Sequence, residues 1–232
     1  MDRFLRTKLL LDDNKMTNLK NAHVMVFGVG GVGGYVVEAL VRSGVGKVSI
    51  IDNDTVNITN LNRQIIALET NIGLKKVDVL KERILAINPN CEVICYDKFI
   101  TDKNISEICF AGVSYVVDAV DTITAKIAII EKAKEYNIPI ISSMGAGNRL
   151  DPFQIKVADI NQTKNCALAK VMRNELKKRN IKNVKCVFSL ELSIEPNETI
   201  INPENGKKVI GSIAYMPSIF GLIIASEVIK EL

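Results

Sequence analysis

A glycine run, Gly28-Val29-Gly30-Gly31-Val32-Gly33, sits between the apolar stretch AHVMVFG (22–28) and a segment, VVEALVRSG, in which Val36, Val37, Leu40 and Val41 recur at helical spacing. That order is strand, turn, helix. KVSIID (47–52), CEVICYD (91–97), SYVVDAV (114–120) and IPIISS (138–143) read as four more buried strands, with helical patterns over 75–87 and 124–136, the first ended by Asn88-Pro89. Strands alternating with helices imply a parallel sheet covered on both faces. After residue 143 the alternation gives way to MGAGNRLDPFQ, a basic helix over 166–180, a strand near 185–189 and the turn-rich SIEPNETIINPENGKK. The chain closes with PSIFGLIIASEVIKEL, a helix started by Pro217 and apolar over most of its surface.

With 232 residues, 47% of them apolar and 24% charged, the chain has material for one α/β domain with a full core. The expected fold is Rossmann-like and doubly wound: a mainly parallel sheet with helices on both faces and an irregular C-terminal extension. Within it a helical arm (1–21), a nucleotide-binding core (22–143) and a substrate-binding C-terminal part (144–232) are expected. The five cysteines are scattered, form no CxxC pair and are accompanied by one histidine, His23, so neither disulfides nor a structural zinc site is expected. Cys91 and Cys95 share one face of CEVICYD and read as buried structural thiols. MDRFLRTKLLLDD carries acids on both sides of a short apolar run, and the apolar run 219–225 is too short for a bilayer, so a cytoplasmic protein without a membrane partner is expected. Residues 164–185 hold eight basic side chains against the single acid Glu175, in a chain whose total is only +4. That concentration suits either a solvated lysine-rich helix or a face for a polyanion.

A GxGxxG turn that follows a strand and opens a helix brings backbone N–H groups and the positive helix end to phosphate oxygens, which makes Gly28, Gly30, Gly31 and Gly33 candidate phosphate-loop residues. Asp52 ends the second strand where an acid can accept ribose hydroxyls. Those two features alone suit NAD. The residues that follow do not: Asp54 is a second acid, Asn60 and Gln64 are amides, Arg63 is a guanidinium, and Gly73-Leu74-Lys75-Lys76 opens a helix. Hydride transfer gains nothing from cations at the phosphates, whereas adenylyl transfer needs fixed cations and Mg²⁺ against the charge that builds on the α-phosphate. The fourth strand ends in Asp118-Ala119-Val120-Asp121-Thr122, where a carboxylate can hold Mg²⁺; Asp121 is the candidate, and Asp118 suits a loop hydrogen bond equally well.

The GxGGxG loop, the DxDxVxxxNLNRQ stretch, the I-G-x-x-K-V helix start and the D-x-x-D-T strand end together resemble the ThiF/MoeB/ubiquitin-activating superfamily over nearly the whole chain. That resemblance implies an ATP-dependent adenylating enzyme in which Asp52 binds ribose, Asn60, Arg63 and Lys76 bind the triphosphate, and Asp121 binds magnesium. It further implies a homodimer in which Arg6 reaches the partner subunit's ATP. Within the superfamily the chain looks similar to the tRNA threonylcarbamoyladenosine dehydratase branch, through Arg3-Phe4, Ser142-Ser143-Met144-Gly145-Ala146-Gly147-Asn148, Val157-Ala158-Asp159-Ile160, Val171-Met172-Arg173 and Ala225-Ser226-Glu227-Val228. The alternative is an activator of a ubiquitin-like sulfur carrier, a branch that commonly has CxxC zinc ligands.

The dehydratase branch implies ligase-type chemistry on modified tRNA, with Lys170, Arg173, Lys177 and Lys178 meeting the tRNA backbone. It leaves open a monovalent cation and a sulfur-transfer helper protein. Cys166 stands where some relatives carry a thioester or persulfide cysteine. Ring closure by a group already present in the substrate needs no protein nucleophile, so a structural or exposed thiol is expected there.

Overall fold

A computed structural model of the chain describes residues 2–201, 206 and 208–232. Its frame is a seven-stranded sheet made of β1 (His23–Phe27), β2 (Lys47–Ile51), β3 (Glu92–Tyr96), β4 (Tyr115–Asp118), β5 (Ile140–Ser143), β6 (Ile155–Asp159) and β7 (Lys185–Ser189). Their spatial order is β3-β2-β1-β4-β5-β7-β6, and every neighbouring pair is parallel except β6 with β7. The winding reverses between β1 and β4, and the carboxyl ends of strands beside such a reversal are where open α/β sheets bind ligands.

Burial explains why these segments pair as they do. All five residues of β1 are buried, as expected of a central parallel strand covered on both sides. Its side chains alternate: Val24 and Val26 join one cluster, Met25 and Phe27 the other. The first cluster lies under α3 (Gly33–Arg42), α4 (Lys76–Ile87) and α7 (Tyr215–Glu231), the second under α5 (Ile123–Glu135) and α6 (Ala167–Lys178). Each fully buried Val or Ile on these faces contributes roughly 1.5–3 kcal/mol.

The N-terminal arm forms α1 (Leu5–Lys8) and α2 (Asp13–Asn21), the latter capped by Asp12, whose carboxylate accepts the Lys15 N–H at 2.7 Å. The arm packs at the amino ends of the strands: the Gly46 N–H donates to Leu19 O, the Lys47 N–H to Ala22 O, and Arg3 Nη1 to Ile87 O.

Three expectations need correction. The region after β5 is more regular than its composition suggested, because Ile155–Asp159 adds an antiparallel edge strand, β6. Pro217 does not start the last helix: α7 begins at Tyr215, and Pro217 falls within its first turn, where a missing N–H breaks no intrahelical bond. Cys91 is buried as expected, whereas Cys95 is only half-buried because β3 is a sheet edge.

Candidate active site

At the carboxyl ends of β1, β2 and β4 lies a cleft of about 310 Å³. Its floor is the glycine turn. Gly28 has a φ of +80°, and a Cβ there would stand 2.7 Å from the Ala119 carbonyl oxygen, so the turn from β1 and the strip that follows β4 meet backbone to backbone. A Cβ on Gly33 would stand 1.8 Å from the Gly28 carbonyl oxygen, which makes Gly33 the residue that lets the loop fold tightly onto α3. The N–H groups of Gly30, Gly31 and Val32 meet no acceptor among the described residues, and α3 has no side-chain cap. An uncapped helix end with unpaired N–H groups at a cleft is an anion-binding site.

The sequence candidates separate into those that face this cleft and those that do not. Gly28, Gly30, Asp52, Asp54, Asn60, Arg63, Gln64, Lys76 and Asp121 all line it. Gly31 and Gly33 do not; Gly33 packs on the Gly28 carbonyl and Gly31 lies against Pro217, so both shape the loop from behind. Lys98, Phe99 and Ile100, just after β3, also line the cleft, and no motif had marked them. Their signal was positional: a cation and an aromatic at the carboxyl end of a strand.

Asp52 is folded into the loop, accepting the Val29 N–H at 2.8 Å and the Asp54 N–H at 2.9 Å. Burial pushes its carboxyl above the ordinary range, and the nearby Lys76 charge opposes that shift. The Lys76 side chain is 6% exposed and reaches Asp54 Oδ2 at 2.7 Å, while Asp54 itself is 60% exposed. The lysine is thus held by a solvated carboxylate that an incoming phosphate can replace. Arg63 donates to Thr59 O at 2.8 Å and to Asn62 Oδ1 at 2.9 Å, and burial pulls it below its ordinary value. The Asn60 carboxamide accepts the Asn57 N–H at 3.0 Å, closing the short turn that carries Arg63 and Gln64. Gln64 Oε1 is buried without a hydrogen-bond partner among the described residues, an orphaned polar atom in the wall of a polar cleft.

The two acids after β4 have different surroundings. Asp118 is fully buried and ion-paired with Lys126 at 2.8 Å, so it cannot meet a ligand. Asp121 is exposed at the cleft and, among the described residues, accepts only the Thr122 hydroxyl, at 3.2 Å. Among the described residues no three His, Cys, Asp or Glu side chains converge on one point.

Arg6 lies on α1, exposed, at the end of the sheet away from the cleft. On α6, Lys170 and Lys177 are exposed, Lys178 pairs with Glu175 at 2.6 Å, and Arg173 is drawn back to the Thr163 carbonyl at 3.0 Å. Cys166 caps α6, its buried sulfur accepting the Ala169 N–H at 3.5 Å, a structural place for the thiol. The loops after β5 and β7, on the same sheet edge as the cleft, are tied together by buried Arg149, which donates to the carbonyls of Gly145, Asn165 and Glu191. The Glu191 carboxylate accepts the N–H groups of Leu150 and Asp151 in return. No helix among the described residues is long and apolar enough to cross a membrane.

Comparison with known proteins agrees with this geometry. The ThiF family profile matches residues 2–232. The chain is 42% identical to a tRNA threonylcarbamoyladenosine dehydratase of Bacillus subtilis, covering 100% of this chain and 95% of that protein. It is 36% identical to the protein of that name from Escherichia coli, covering 99% and 93%. The crystal structure of the E. coli enzyme in complex with ATP superposes with a TM-score of 0.89 at 37% identity, and that of its AMP complex with 0.90 at 37%, each covering 99% of this chain and 93% of that one. Motifs, sheet order and whole-length similarity agree, and the chain belongs to the ThiF family.

Proposed function

We propose that the protein is an ATP-dependent tRNA threonylcarbamoyladenosine dehydratase, an adenylating enzyme of ligase type. The observation that carries this reading is the gathering of Asp52, Arg63, Lys76 and Asp121 around an uncapped helix end, in a chain similar over its whole length to proteins of that name. In this reading Asp52 accepts the ribose hydroxyls, and the free N–H groups at the start of α3 meet the phosphates. Arg63 and Lys76 stabilise the charge that develops as the substrate carboxylate attacks the α-phosphorus and pyrophosphate leaves. Lys76 exchanges Asp54 for a phosphate oxygen in that step. Asp121 is the residue that would hold a Mg²⁺ ion, which when bound would supply charge neutralisation there; a site with one protein carboxylate fits an ion that takes most of its ligands from phosphate and water.

The carboxylate belongs to the threonine part of the modified adenosine at position 37 of tRNA. Once it is an acyl adenylate, the carbamoyl group of the same side chain attacks the carbonyl carbon and AMP departs. The ring that forms has lost one water relative to the starting nucleoside, and the tethered nucleophile makes the step intramolecular. Residues 22–143 bind nucleotide and 144–232 receive the tRNA, with Lys170 and Lys177, the cations of the basic helix unpaired among the described residues, and Arg173 and Lys178 beside them. Arg6 acts across a homodimer. A monovalent cation and a sulfur-transfer helper protein are components to add to the assay one at a time.

The test is incubation with ATP, Mg²⁺ and tRNA bearing threonylcarbamoyladenosine, followed by digestion and mass spectrometry of the nucleosides. The expected result is loss of one water from that nucleoside with AMP formed, and neither in Asp121→Ala. An unchanged nucleoside, with pyrophosphate exchange that depends on a Gly-Gly-ended protein, would replace this reading with that of a sulfur-carrier activator.

A further inference from the structure

Where β4 ends, just inside the strip 119–122, the structure holds a closed polar knot that the chemistry above leaves unused. Asp118 is fully buried. Its Oδ2 accepts Lys126 Nζ at 2.8 Å and the Ser142 hydroxyl; its Oδ1 accepts the Val120 N–H at 3.2 Å. Lys126 is equally buried, and its ammonium also donates to Ser142 Oγ at 3.3 Å and to the Ser143 carbonyl at 2.7 Å. All three ammonium protons and both carboxylate oxygens are therefore engaged, across β4, α5 and β5.

A buried ion pair is poor evidence of stabilisation, because apolar side chains of similar volume usually do as well. Its location is more informative. The strip it grips consists of Ala119, Val120, Asp121 and Thr122, and all four line the cleft. The same strip is pinned from the other side, where the Ala119 N–H donates to Phe27 O at 2.8 Å and the Ala119 carbonyl lies against Gly28.

We infer that Asp118, Lys126 and Ser142 are positioning residues for Asp121: they fix the backbone from which that carboxylate reaches magnesium-bound nucleotide. None of them touches the ligand. The inference rests on the reading of Asp121 as the magnesium-holding group, and outer groups that orient a metal's carboxylate typically alter affinity or activity about 10- to 100-fold when removed.

The test uses the double variant Asp118→Asn/Lys126→Met, which leaves no buried net charge, and the milder Ser142→Ala. Urea unfolding identifies which of them is folded. Calorimetry then measures ATP binding with Mg²⁺ and with EDTA for wild type, Asp121→Ala and each folded variant. The expected result is that wild type gains affinity from Mg²⁺, that the double variant loses that gain by about tenfold, that Ser142→Ala loses part of it, and that metal-free binding stays within about threefold. Adding the double change to Asp121→Ala should cost nothing more, since both act through one carboxylate. A folded variant that keeps the full Mg²⁺ advantage while Asp121→Ala loses it overturns the inference alone. If wild type and Asp121→Ala gain equally from Mg²⁺, the magnesium reading of Asp121 falls and the inference with it.

Discussion

Substituting alanine for Gly33 separates two explanations of the glycine loop, one in which every glycine serves the ligand directly and one in which some serve the backbone. The added methyl would sit 1.8 Å from the Gly28 carbonyl oxygen, a backbone atom that cannot swing aside. Relieving that contact requires the start of α3 and the turn to part by more than about 1 Å, and a core forced open in this way loses roughly 1–3 kcal/mol. For a chain of this length that corresponds to a melting temperature lower by roughly 2–12 °C. The functional cost is expected to be larger, because the displaced atoms carry the N–H groups proposed to meet the phosphates, and a misplacement on the order of 1 Å costs about a hundredfold in rate. Gly31→Ala is the internal control. Its methyl would meet Pro217 Cβ at 3.2 Å, a contact relieved by a few tenths of an ångström. Calorimetric ATP binding and AMP formation with modified tRNA, each beside a thermal melt, are the assays. Gly33→Ala is expected to lose about a hundredfold in turnover and Gly31→Ala less than about fivefold. Equal losses at the two positions would refute the reasoning.

Lys76→Met should lower kcat for AMP formation by about 10²–10³-fold with little change in melting temperature, because the Asp54 left behind is largely solvated; a loss of stability that accounts for the loss of activity would contradict this. Lys170→Ala and Lys177→Ala should raise KM for tRNA and each reduce the slope of log affinity against log salt by about one, with ATP binding unchanged; an unaltered salt slope would remove α6 from the tRNA interface. His23 is buried beside Ser49 Oγ at 2.8 Å, and burial first, then the Lys47 charge, pulls its imidazole below the ordinary 6.5. The unfolded chain then takes up that proton first as pH falls, so stability should drop from pH 6.5 downward until the folded value is passed, and urea midpoints should show this drop flattened in His23→Gln. An identical pH slope in that variant would exclude the histidine as its source.

Most of the fold was legible because its information is local. Each parallel strand is a short apolar run bounded by glycine, proline or charge, and each helix between them shows helical periodicity, so β1 to β5 and β7 fall where the pattern puts them. The antiparallel β6 was not legible. Only Ile155 of its residues is fully buried, so a sheet edge leaves a weak pattern, and its pairing partner lies beyond a whole helix. At the site, motif spacing marked Asp52, Asp54, Asn60, Arg63, Gln64, Lys76 and Asp121, all of which line the cleft. It could not separate Gly30, which faces the cleft, from Gly33, which faces another backbone atom, because both are glycines in one loop. It favoured Asp121 over Asp118 but left Asp118 open between a ligand and a loop role: three positions apart at the end of one strand, one is sealed beneath the strip with Lys126 and the other stands in solvent. Burial decides between them, and burial depends on where α5 and β5 come to lie.

The N-terminal arm packs at the amino ends of the strands, while the cleft opens at their carboxyl ends. A five-residue strand spans about 17 Å, well beyond the length of an arginine side chain, so one copy of the chain cannot bring Arg6 to its own nucleotide. With the role proposed for Arg6, the full set of phosphate-binding cations exists only in an assembly of two chains. Specific activity should then fall on dilution through the dimer's dissociation constant, and an excess of Asp121→Ala chains should rescue Arg6→Ala by lending it an intact arm. Cellular abundance of the protein would thereby become a control on its catalytic output, independent of how much ATP is present.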